Sequence, residues 1–452
     1  MENMQRPIKV LMLPWLAHGH ISPFLELAKR LSTRNFHIHL CSTPVNLSSI
    51  KPKISDKYSS SIELVELHLP SLPDLPPHYH TTKGLPPHLM NTLKVAFDMA
   101  SLGFSDIVKS LGPDLLICDL FQPWAAEVAK SHGLPTVVFF IVGARTISFM
   151  FHMIKNASSK FPFEAIRFHD YELAKIGKAA DDSTARVKDE DRVLQSVERS
   201  SNFILLKTFR EMDGKYMDYL SSLSGKKVLT VGPLVEDPDN MEDGDSIIEW
   251  LDKREQSSTI FVSFGSEYFL TEKEREEIAH GLELSNVNFI WVIRFPVGES
   301  IELEEALPKG FLERVRDRGL VIDGWAPQGK ILEHPSIGGF VSHCGWGSLM
   351  ESMKSGVPII AMPMLHDQPL NARMVEEVGV GLEVKRNESG ELERLEIGKV
   401  IKDVVVEKDG DSVRKKTKEM SDIIRNKGEE ELDEVVDALV QLCARCTEQS
   451  TS

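Results

Sequence analysis

The 452-residue sequence lacks the features that mark several large classes of protein. Its five cysteines are too few and too scattered for a disulfide framework. No run of about 18 apolar residues occurs, so no transmembrane helix is expected. The net charge of −16 argues against binding to nucleic acid or to an anionic membrane surface. We therefore expect a reduced, cytosolic protein whose partners are small molecules.

Two nucleotide-binding motifs are also missing. The run from Gly324 to Lys330 has the outline of a P-loop, but Ile331 stands where Ser or Thr must bind magnesium. No G-x-G-x-x-G follows a predicted strand, so a Rossmann oxidoreductase would have to bind NAD without its fingerprint. Cys443 and Cys446 form a C-x-x-C, but no second pair or histidine accompanies them, which disfavours zinc or redox chemistry.

Short apolar runs alternate with helical patterns along most of the chain. This βαβα rhythm predicts an α/β protein with parallel sheets covered by helices. Strands are predicted at 8–14, 36–43, 62–69, 114–119, 136–142, 228–234, 259–264, 289–294, 319–322, 338–342 and 357–362. Helices are predicted at 20–31, 85–111, 124–131, 272–284, 395–406, 413–425 and 431–444. The polar stretch 155–199 is interpreted as a mobile excursion.

A break in this rhythm predicts two domains. Residues 236–245 are acidic, contain Pro and Gly and have no apolar anchor. They are therefore the best candidate in the chain for a linker between two domains. We expect an N-terminal Rossmann-like domain at 1–235, a linker at 236–248 and a C-terminal Rossmann-like domain at 249–428. Residues 429–452 are expected to form a final helix.

The richest chemistry lies between Trp325 and Gln368. A helix that begins near Cys344–Ser348 directs free N–H groups and its positive dipole end toward a ligand such as a diphosphate. His343 precedes this helix and can add an imidazole N–H. Glu351, one turn further, can accept two hydrogen bonds from a ribose diol. Trp325 offers a flat face for a base, and Asp367 with Gln368 offer groups for sugar hydroxyls.

In order and spacing, this stretch resembles the signature box of the plant secondary-product glycosyltransferases, which are UDP-sugar users of the GT-B fold. The resemblance implies two doubly wound, Rossmann-like domains facing a cleft, with the last helix crossing back onto the first domain. It assigns the uracil to Trp325, Ala326 and Gln328, and the ribose to Glu351. The diphosphate would contact His343, Gly347, Ser348 and Ser266, and the sugar would contact Trp346, Asp367 and Gln368.

Two residues of the first half lie where open parallel sheets bind ligands, beyond the carboxyl ends of strands. His20 follows the first predicted strand, and Asp119 ends the fourth. An imidazole held by a carboxylate is fixed in one tautomer and is a stronger base. In the resembled family the catalytic His and its Asp partner fall at these positions. Sequence alone does not establish that the two side chains touch.

One position departs from the family pattern and points to the acceptor. The family usually has Asn after the Gly-Trp pair, where this chain has Gly347, so a main-chain N–H must serve the phosphate. Gly347 occurs in some sugar-on-sugar members, and residues 72–90 resemble the same subgroup. Phe121, with Trp124 and residues 147–151, offers an apolar surface for a bulky acceptor.

The resulting hypothesis is an inverting transfer of glucose from UDP-glucose to a sugar hydroxyl of a triterpenoid or flavonoid glucoside, without metal or other cofactor, by a monomer. One alternative is the same transfer onto an aglycone hydroxyl. Another is a non-catalytic protein that binds UDP-sugars or terpenoids. The amide of Gln368, where galactose users commonly have His, favours glucose as the sugar transferred.

Overall fold

The structure is a computed structural model that describes residues 6–174, 188–236, 244–296, 301–427 and 430–451. The chain divides into two compact units. Unit 1 comprises Met1–Phe161, Ser183–Leu234 and Lys427–Ser452, and unit 2 comprises Pro162–Asp182 and Val235–Asn426. Each unit is built on a parallel sheet flanked by helices. The predicted fold class, α/β with two Rossmann-like parallel sheets, is confirmed.

Unit 1 has a seven-stranded sheet in the order β3-β2-β1-β4-β5-β6-β7. The strands are β1 Ile8–Leu13, β2 Phe36–Ser42, β3 Ile62–Glu66, β4 Leu115–Cys118, β5 Thr136–Phe140, β6 Phe203–Leu206 and β7 Lys227–Thr230. The chain builds outward from β1 to β3 and then returns to β4 on the other side of β1. The strand order therefore reverses between β1 and β4, which is where ligands bind in open parallel sheets.

Both faces of this sheet are covered, because successive strand residues point to opposite sides. Val10 and Met12 of β1 join one apolar core, and Leu11 and Leu13 join another. The helices of unit 1 are α1 His18–Ser32, α2 Pro44–Ile50, α3 Met90–Met99, α4 Ser101–Leu111, α5 Pro123–Ser131, α6 Ala144–Lys155, α7 Asp189–Arg199, α8 Arg210–Ser224 and, at the end of the chain, α18 Glu430–Thr451.

The final helix α18 packs into the first of these cores. Its buried residues Leu432, Val435, Leu439 and Leu442 recur every three or four positions and so lie on one face. Burying an aliphatic side chain of this size stabilises the fold by roughly 1.5–3 kcal/mol. This face accounts for the inclusion of the C-terminal helix in unit 1.

Unit 2 has a six-stranded sheet in the order β10-β9-β8-β11-β12-β13. Its strands are β8 Thr259–Ser263, β9 Asn288–Ile293, β10 Gly319–Asp323, β11 Ile337–Ser342, β12 Ile359–Ala361 and β13 Gly381–Glu383. Its helices are α9 Asp245–Leu251, α10 Glu272–Ser285, α11 Leu303–Ala306, α12 Phe311–Val315, α13 Gln328–Glu333, α14 Trp346–Ser355, α15 Gln368–Val378, α16 Arg394–Val405 and α17 Asp411–Lys427. Here the strand order reverses between β8 and β11.

Several predicted elements differ from those observed. The region 85–111 is not one helix, because α3 and α4 are separated at Ala100. The region 155–199 is not wholly an irregular excursion, since α7 occupies its end and buries Val193 and Val197. This helix escaped prediction because charged residues dominate its sequence. Strands β6 and β13 and helix α8 were also missed, the strands because each is only three or four residues long.

The observed units also differ from the predicted domain ranges. Helix α9 begins at Asp245, inside the range 236–248 proposed as a linker, and residues 237–243 lie outside the described residues. Residues 162–174 group with unit 2 rather than with the N-terminal half. The reason is a buried ion-pair network in which Arg373 of α15 donates to the carboxylates of Glu172 and Glu383. In the described residues, no helix has the length and apolar character needed to span a membrane.

Candidate active site

Unit 1 carries a histidine–aspartate pair at its strand-order reversal. His20 lies in the first turn of α1, just after β1, and Asp119 directly follows β4. Because β1 and β4 are parallel neighbours, both residues emerge at the same edge of the sheet. The Nδ1 atom of His20 lies 2.6 Å from Oδ2 of Asp119. The structure thus provides the contact that the sequence could not establish.

The surroundings of Asp119 determine which atom of His20 carries the proton. The aspartate is completely buried, and its oxygens accept main-chain N–H groups from Trp15 at 3.2 Å and Leu120 at 2.7 Å. A carboxylate only accepts hydrogen bonds, and the two main-chain partners of Asp119 are both N–H donors. His20 must therefore donate to Asp119 from Nδ1. The lone pair of the neutral imidazole is then on Nε2. A base of this kind can take a proton from a hydroxyl group placed beside Nε2.

Phe121, predicted to contact the acceptor, packs against this pair with its ring centroid 5.7 Å from that of His20. Helix α7 holds the segment that carries it. Arg192 donates to the carbonyl of Phe121 at 2.8 Å and forms a two-pronged ion pair with Asp98 at 2.6 and 2.8 Å. Ser196 donates to the preceding carbonyl at 2.8 Å. The sequence does not predict these hydrogen bonds from α7, because the polar stretch 155–199 is interpreted there as a mobile excursion.

Among the other apolar residues proposed for the acceptor surface, Ile147 and Phe151 lie in the core, whereas Trp124 is partly buried. Ile147 and Phe151 of α6 are each only 1% exposed. Trp124 is edge-on to Phe97 and Phe104 and packs against the core between the sheet and helices α3–α5. The prediction that Ile147 and Phe151 offer surface to an acceptor is therefore wrong, and for Trp124 it stays a prediction. Phe121 is the member of the set that lies next to His20.

Unit 2 carries a candidate site of its own at the N-terminus of helix α14, where the strand order reverses between β8 and β11. Gly345 is the N-cap, and the helix starts at Trp346. The N–H groups of the first turn, including those of Gly347 and Ser348, precede the intrahelical hydrogen-bond pattern and can bind an anion. Ser266 follows the adjacent strand β8, which pairs with β11. Both parallel strands deliver these groups to the same sheet edge.

His343 lies beside this helix but cannot supply positive charge. Its ring is so close to Gly265 and Gly345 that a Cβ on either glycine would lie 2.6 Å from Nε2. Gly265 also has a φ of +77°, which favours glycine. Burial lowers the pKa of His343 to about 4, so the imidazole is neutral at pH 7. His343 can therefore offer a ligand a neutral N–H and no positive charge.

Glu351, the residue proposed for the ribose, lies in a small hydrogen-bond network. The side-chain amide of Gln328, at the start of α13, donates to the carboxylate of Glu351 at 2.6 Å and to the hydroxyl of Ser348 at 3.1 Å. Helix α14 carries both acceptors. Gln328 therefore orients the glutamate, in addition to any contact that it makes with a base.

Trp325 is the exposed platform of the site, with 63% of its surface accessible. The guanidinium carbon of Arg294 lies 5.0 Å from the centre of its indole, and Arg294 Nε donates to the carbonyl of Gly324 at 2.9 Å. This cation–π contact fixes the indole and was not predicted. Ala326 is buried, and its carbonyl accepts the N–H of Gln328. Any contact between Ala326 and a ligand must therefore come from the rest of its main chain.

The residues proposed for the sugar are held by hydrogen bonds that limit their roles. The Gln368 side-chain oxygen accepts the main-chain N–H groups of Met364 at 3.0 Å and Leu365 at 2.8 Å. Because two donors face this atom, it must be the carbonyl oxygen. Gln368 therefore offers a sugar donors only, although a free side-chain amide can both donate and accept.

Asn371 connects Asp367 to the turn before α14. Its amide donates to the Asp367 carboxylate at 2.8 Å and to the carbonyl of Cys344 at 3.0 Å. Trp346 is 4% exposed, so its side chain has little surface left for the predicted sugar contact. Sequence reasoning missed Asn371, although its position four residues after Asp367 places both on one face of α15.

The two parallel sheets, one with a His–Asp pair at its strand reversal and the other with a helix N-terminus at its own, fit the GT-B class of nucleotide-sugar transferases. Comparison with families of known proteins supports this class. Residues 6–236 match the family described as glycosyltransferase, N-terminal domain. Residues 243–439 match the family described as UDP-glucoronosyl and UDP-glucosyl transferase.

Individual proteins are similar over nearly the whole length. The mogroside IIIx synthase of Siraitia grosvenorii is 56% identical, over 94% of this chain and 91% of its own. The beta-D-glucosyl crocetin beta-1,6-glucosyltransferase of Gardenia jasminoides is 52% identical, over 97% of this chain and 100% of its own. The structure of Phytolacca americana UGT2 complexed with UDP-2fluoro-glucose and pterostilbene is 27% identical, with a TM-score of 0.78, over 96% of this chain and 100% of that one.

The chain therefore belongs to the plant UDP-dependent glycosyltransferases. The family predicted from residues 325–368 is confirmed, and the protein is an enzyme that transfers a sugar from a UDP-sugar donor.

Proposed function

We propose that this enzyme transfers glucose from UDP-glucose to a sugar hydroxyl of a small plant glycoside and so extends or branches its sugar chain. The observation that carries the chemistry is the 2.6 Å hydrogen bond between His20 and Asp119. The choice of acceptor is supported by the relatives and by Gly347. One relative is named for adding glucose to a compound that already carries glucose.

In the proposed reaction, the acceptor oxygen attacks the anomeric carbon of glucose. The bond between that carbon and the phosphate oxygen breaks, and the configuration inverts. The hydroxyl proton goes to Nε2 of His20, and Asp119 balances the imidazolium. A general base of this kind contributes about 10²–10⁴ in rate, or about 3–5 kcal/mol of barrier.

The leaving UDP is proposed to be stabilised by fixed dipoles. Main-chain N–H groups of Gly347 and Ser348 at the start of α14, with neutral donors from His343 and Ser266, face the developing charge. No titratable cation among these four residues takes part. Stabilisation of the leaving UDP therefore comes from N–H and O–H groups that the fold orients before the donor binds.

We assign donor binding to the C-terminal half, 249–428, and acceptor binding to 1–235. Trp325 would stack on the uracil beside Ala326, and Glu351, oriented by Gln328, would hold the ribose. Asp367, Gln368 and the exposed edge of Trp346 would meet the glucose, and Phe121 would meet the acceptor. Independence from metal, a cytosolic location and a monomeric state remain predictions.

The decisive experiment pairs each glucoside with its own aglycone. Purified enzyme is given UDP-glucose with a panel of triterpenoid and flavonoid glucosides and, separately, the matching aglycones. UDP release and product mass are then read for every pair. We expect turnover of several glucosides and little turnover of their aglycones, because only the glucosides carry the sugar hydroxyl to be modified.

The same assay separates the alternatives. Faster turnover of the aglycones across the panel would establish the simpler transfer onto an aglycone hydroxyl. UDP binding without release of UDP for any acceptor would support a non-catalytic binding protein. The matched control is the His20→Ala enzyme, which should bind UDP-glucose with unchanged affinity and show almost no turnover.

A further inference from the structure

We infer that unit 1 carries a binding site for a divalent transition-metal ion such as Zn²⁺, formed by His37 and His39 on β2 and Glu63 on β3. Their ligand atoms, one from each residue, all lie within 4.8 Å of one another. This site is separate from the residues proposed for glycosyl transfer and goes beyond the proposed function.

The sheet itself creates this cluster. Residues two apart on a strand point to the same face, so His37 and His39 project side by side. Their ring centroids are 4.9 Å apart. Glu63 is the registered neighbour of His39 on the parallel strand β3, so its carboxylate rises beside the same imidazole. Three ligands thus come from two rigid, hydrogen-bonded strands, and their spacing does not depend on a loop.

The distances suit a cation at the centre of the cluster. Oε2 of Glu63 lies 3.5 Å from Nε2 of His39 and 4.0 Å from Nε2 of His37. These separations are too long for good hydrogen bonds. Ligands that bind zinc at about 2.0–2.2 Å in a tetrahedral arrangement are separated by roughly 3.3–3.6 Å. Small side-chain adjustments would therefore allow all three atoms to contact one ion.

The types of donor also favour a metal ion. His39 is only 5% exposed, so its imidazole is enclosed by the protein rather than by solvent. Its Nδ1 makes no hydrogen bond to the described part of the chain, so a proton held there leaves Nε2 free to coordinate. Two imidazoles and one carboxylate form a ligand set typical of zinc and related metals, with water completing the shell.

One neighbour opposes a cation and provides a sensitive control. Lys9 on β1 is the registered partner of His37, so its positive charge lies on the strand next to the cluster. Removing that charge with Lys9→Gln should strengthen metal binding without altering a ligand.

The cluster lies on β2 and β3, whereas His20 and Asp119 follow the carboxyl ends of β1 and β4. Metal binding is therefore expected to stabilise unit 1 and to leave glucosyl transfer unchanged.

The test is calorimetric titration of ZnCl₂ into the full-length enzyme, without a histidine tag and after treatment with EDTA. We expect one ion per chain. His37→Ala and Glu63→Gln should each weaken binding at least about tenfold, or about 1.4 kcal/mol. Both side chains are partly exposed, at 33% and 59%, so the variants are expected to fold. Zinc should also raise the melting temperature of the wild-type enzyme and not that of the variants.

Two controls exclude other zinc ligands. His68→Ala removes an exposed histidine that lies 3.1 Å from Glu66, a two-group pair of similar composition, and should leave binding unchanged. The double variant Cys443→Ser/Cys446→Ser removes the C-x-x-C thiols. The proposal is overturned if no zinc binds at about 100 μM, if binding survives His37→Ala and Glu63→Gln, or if it is lost with the cysteines instead.

Discussion

Replacing Asp119 with asparagine tests whether this residue sets the tautomer of His20. Asparagine has the same shape but converts one oxygen into an NH₂ group. In the native site Oδ2 meets the N–H groups of His20 and Trp15, and Oδ1 meets that of Leu120. If the NH₂ group replaces Oδ2, it donates to His20 Nδ1 and drives the proton to Nε2. The imidazole then has no lone pair for the acceptor hydroxyl.

Each orientation of the asparagine sets its NH₂ group against one main-chain N–H. The opposite orientation is the less favourable, because its contact with Leu120 is at 2.7 Å, whereas the contact with Trp15 is at 3.2 Å. We therefore expect Asp119→Asn to lower kcat about 10³–10⁴-fold, or about 4–5.5 kcal/mol. Asp119→Ala should be milder, at about 10²-fold, because His20 can then hold its proton on either nitrogen and water can fill the space. The distinctive result is that asparagine is expected to lower kcat more than alanine does. If Asp119 acted through its charge alone, asparagine would be the milder substitution.

The assay is UDP release with a saturating glucoside acceptor, accompanied by calorimetry of UDP binding. UDP affinity should stay at the wild-type value in both variants, because the donor-site residues belong to unit 2 and Asp119 belongs to unit 1. Equal melting temperatures would exclude partial unfolding as the cause. The tautomer assignment is wrong if Asp119→Asn works within tenfold of wild type, or if it exceeds Asp119→Ala.

Three further outcomes are expected. UDP-glucose should exceed UDP-galactose in kcat/KM by at least about tenfold, or about 1.4 kcal/mol, because Gln368 offers only donors in a fixed direction; equal values would refute this. Arg192→Met should lower kcat about tenfold with unchanged UDP affinity, since the segment carrying Phe121 loses its support; unchanged kcat would show that α7 does not position it. Because burial lowers the pKa of His343 to about 4 from 6.5, the unfolded chain binds that proton more tightly, so stability falls as the pH drops through this range. Between pH 7.5 and pH 5, the wild type should lose about 2 kcal/mol more unfolding free energy than His343→Gln, and parallel curves would contradict the assignment.

Local patterns determined the class of this protein. Apolar runs of strand length, alternating with helical spacing, predicted the α/β fold because burial on both sheet faces requires that composition. The residues between Trp325 and Gln368 identified the family because their types and spacing place nucleotide-binding groups in consecutive strand-to-helix turns. Positions at the ends of strands, such as those of His20 and Asp119, could be read without coordinates, since parallel strands deliver such residues to one sheet edge.

Only the tertiary structure decided how these residues work. His20 and Asp119 are 99 positions apart, and their 2.6 Å contact depends on the register of β1 with β4, which no local pattern specifies. The direction of the Gln368 amide is set by two main-chain N–H groups, and the neutral state of His343 is set by burial. Hydrogen-bond direction and desolvation depend on neighbours brought together by folding. The sequence could therefore name the chemical groups of the site, whereas their protonation and orientation follow from packing.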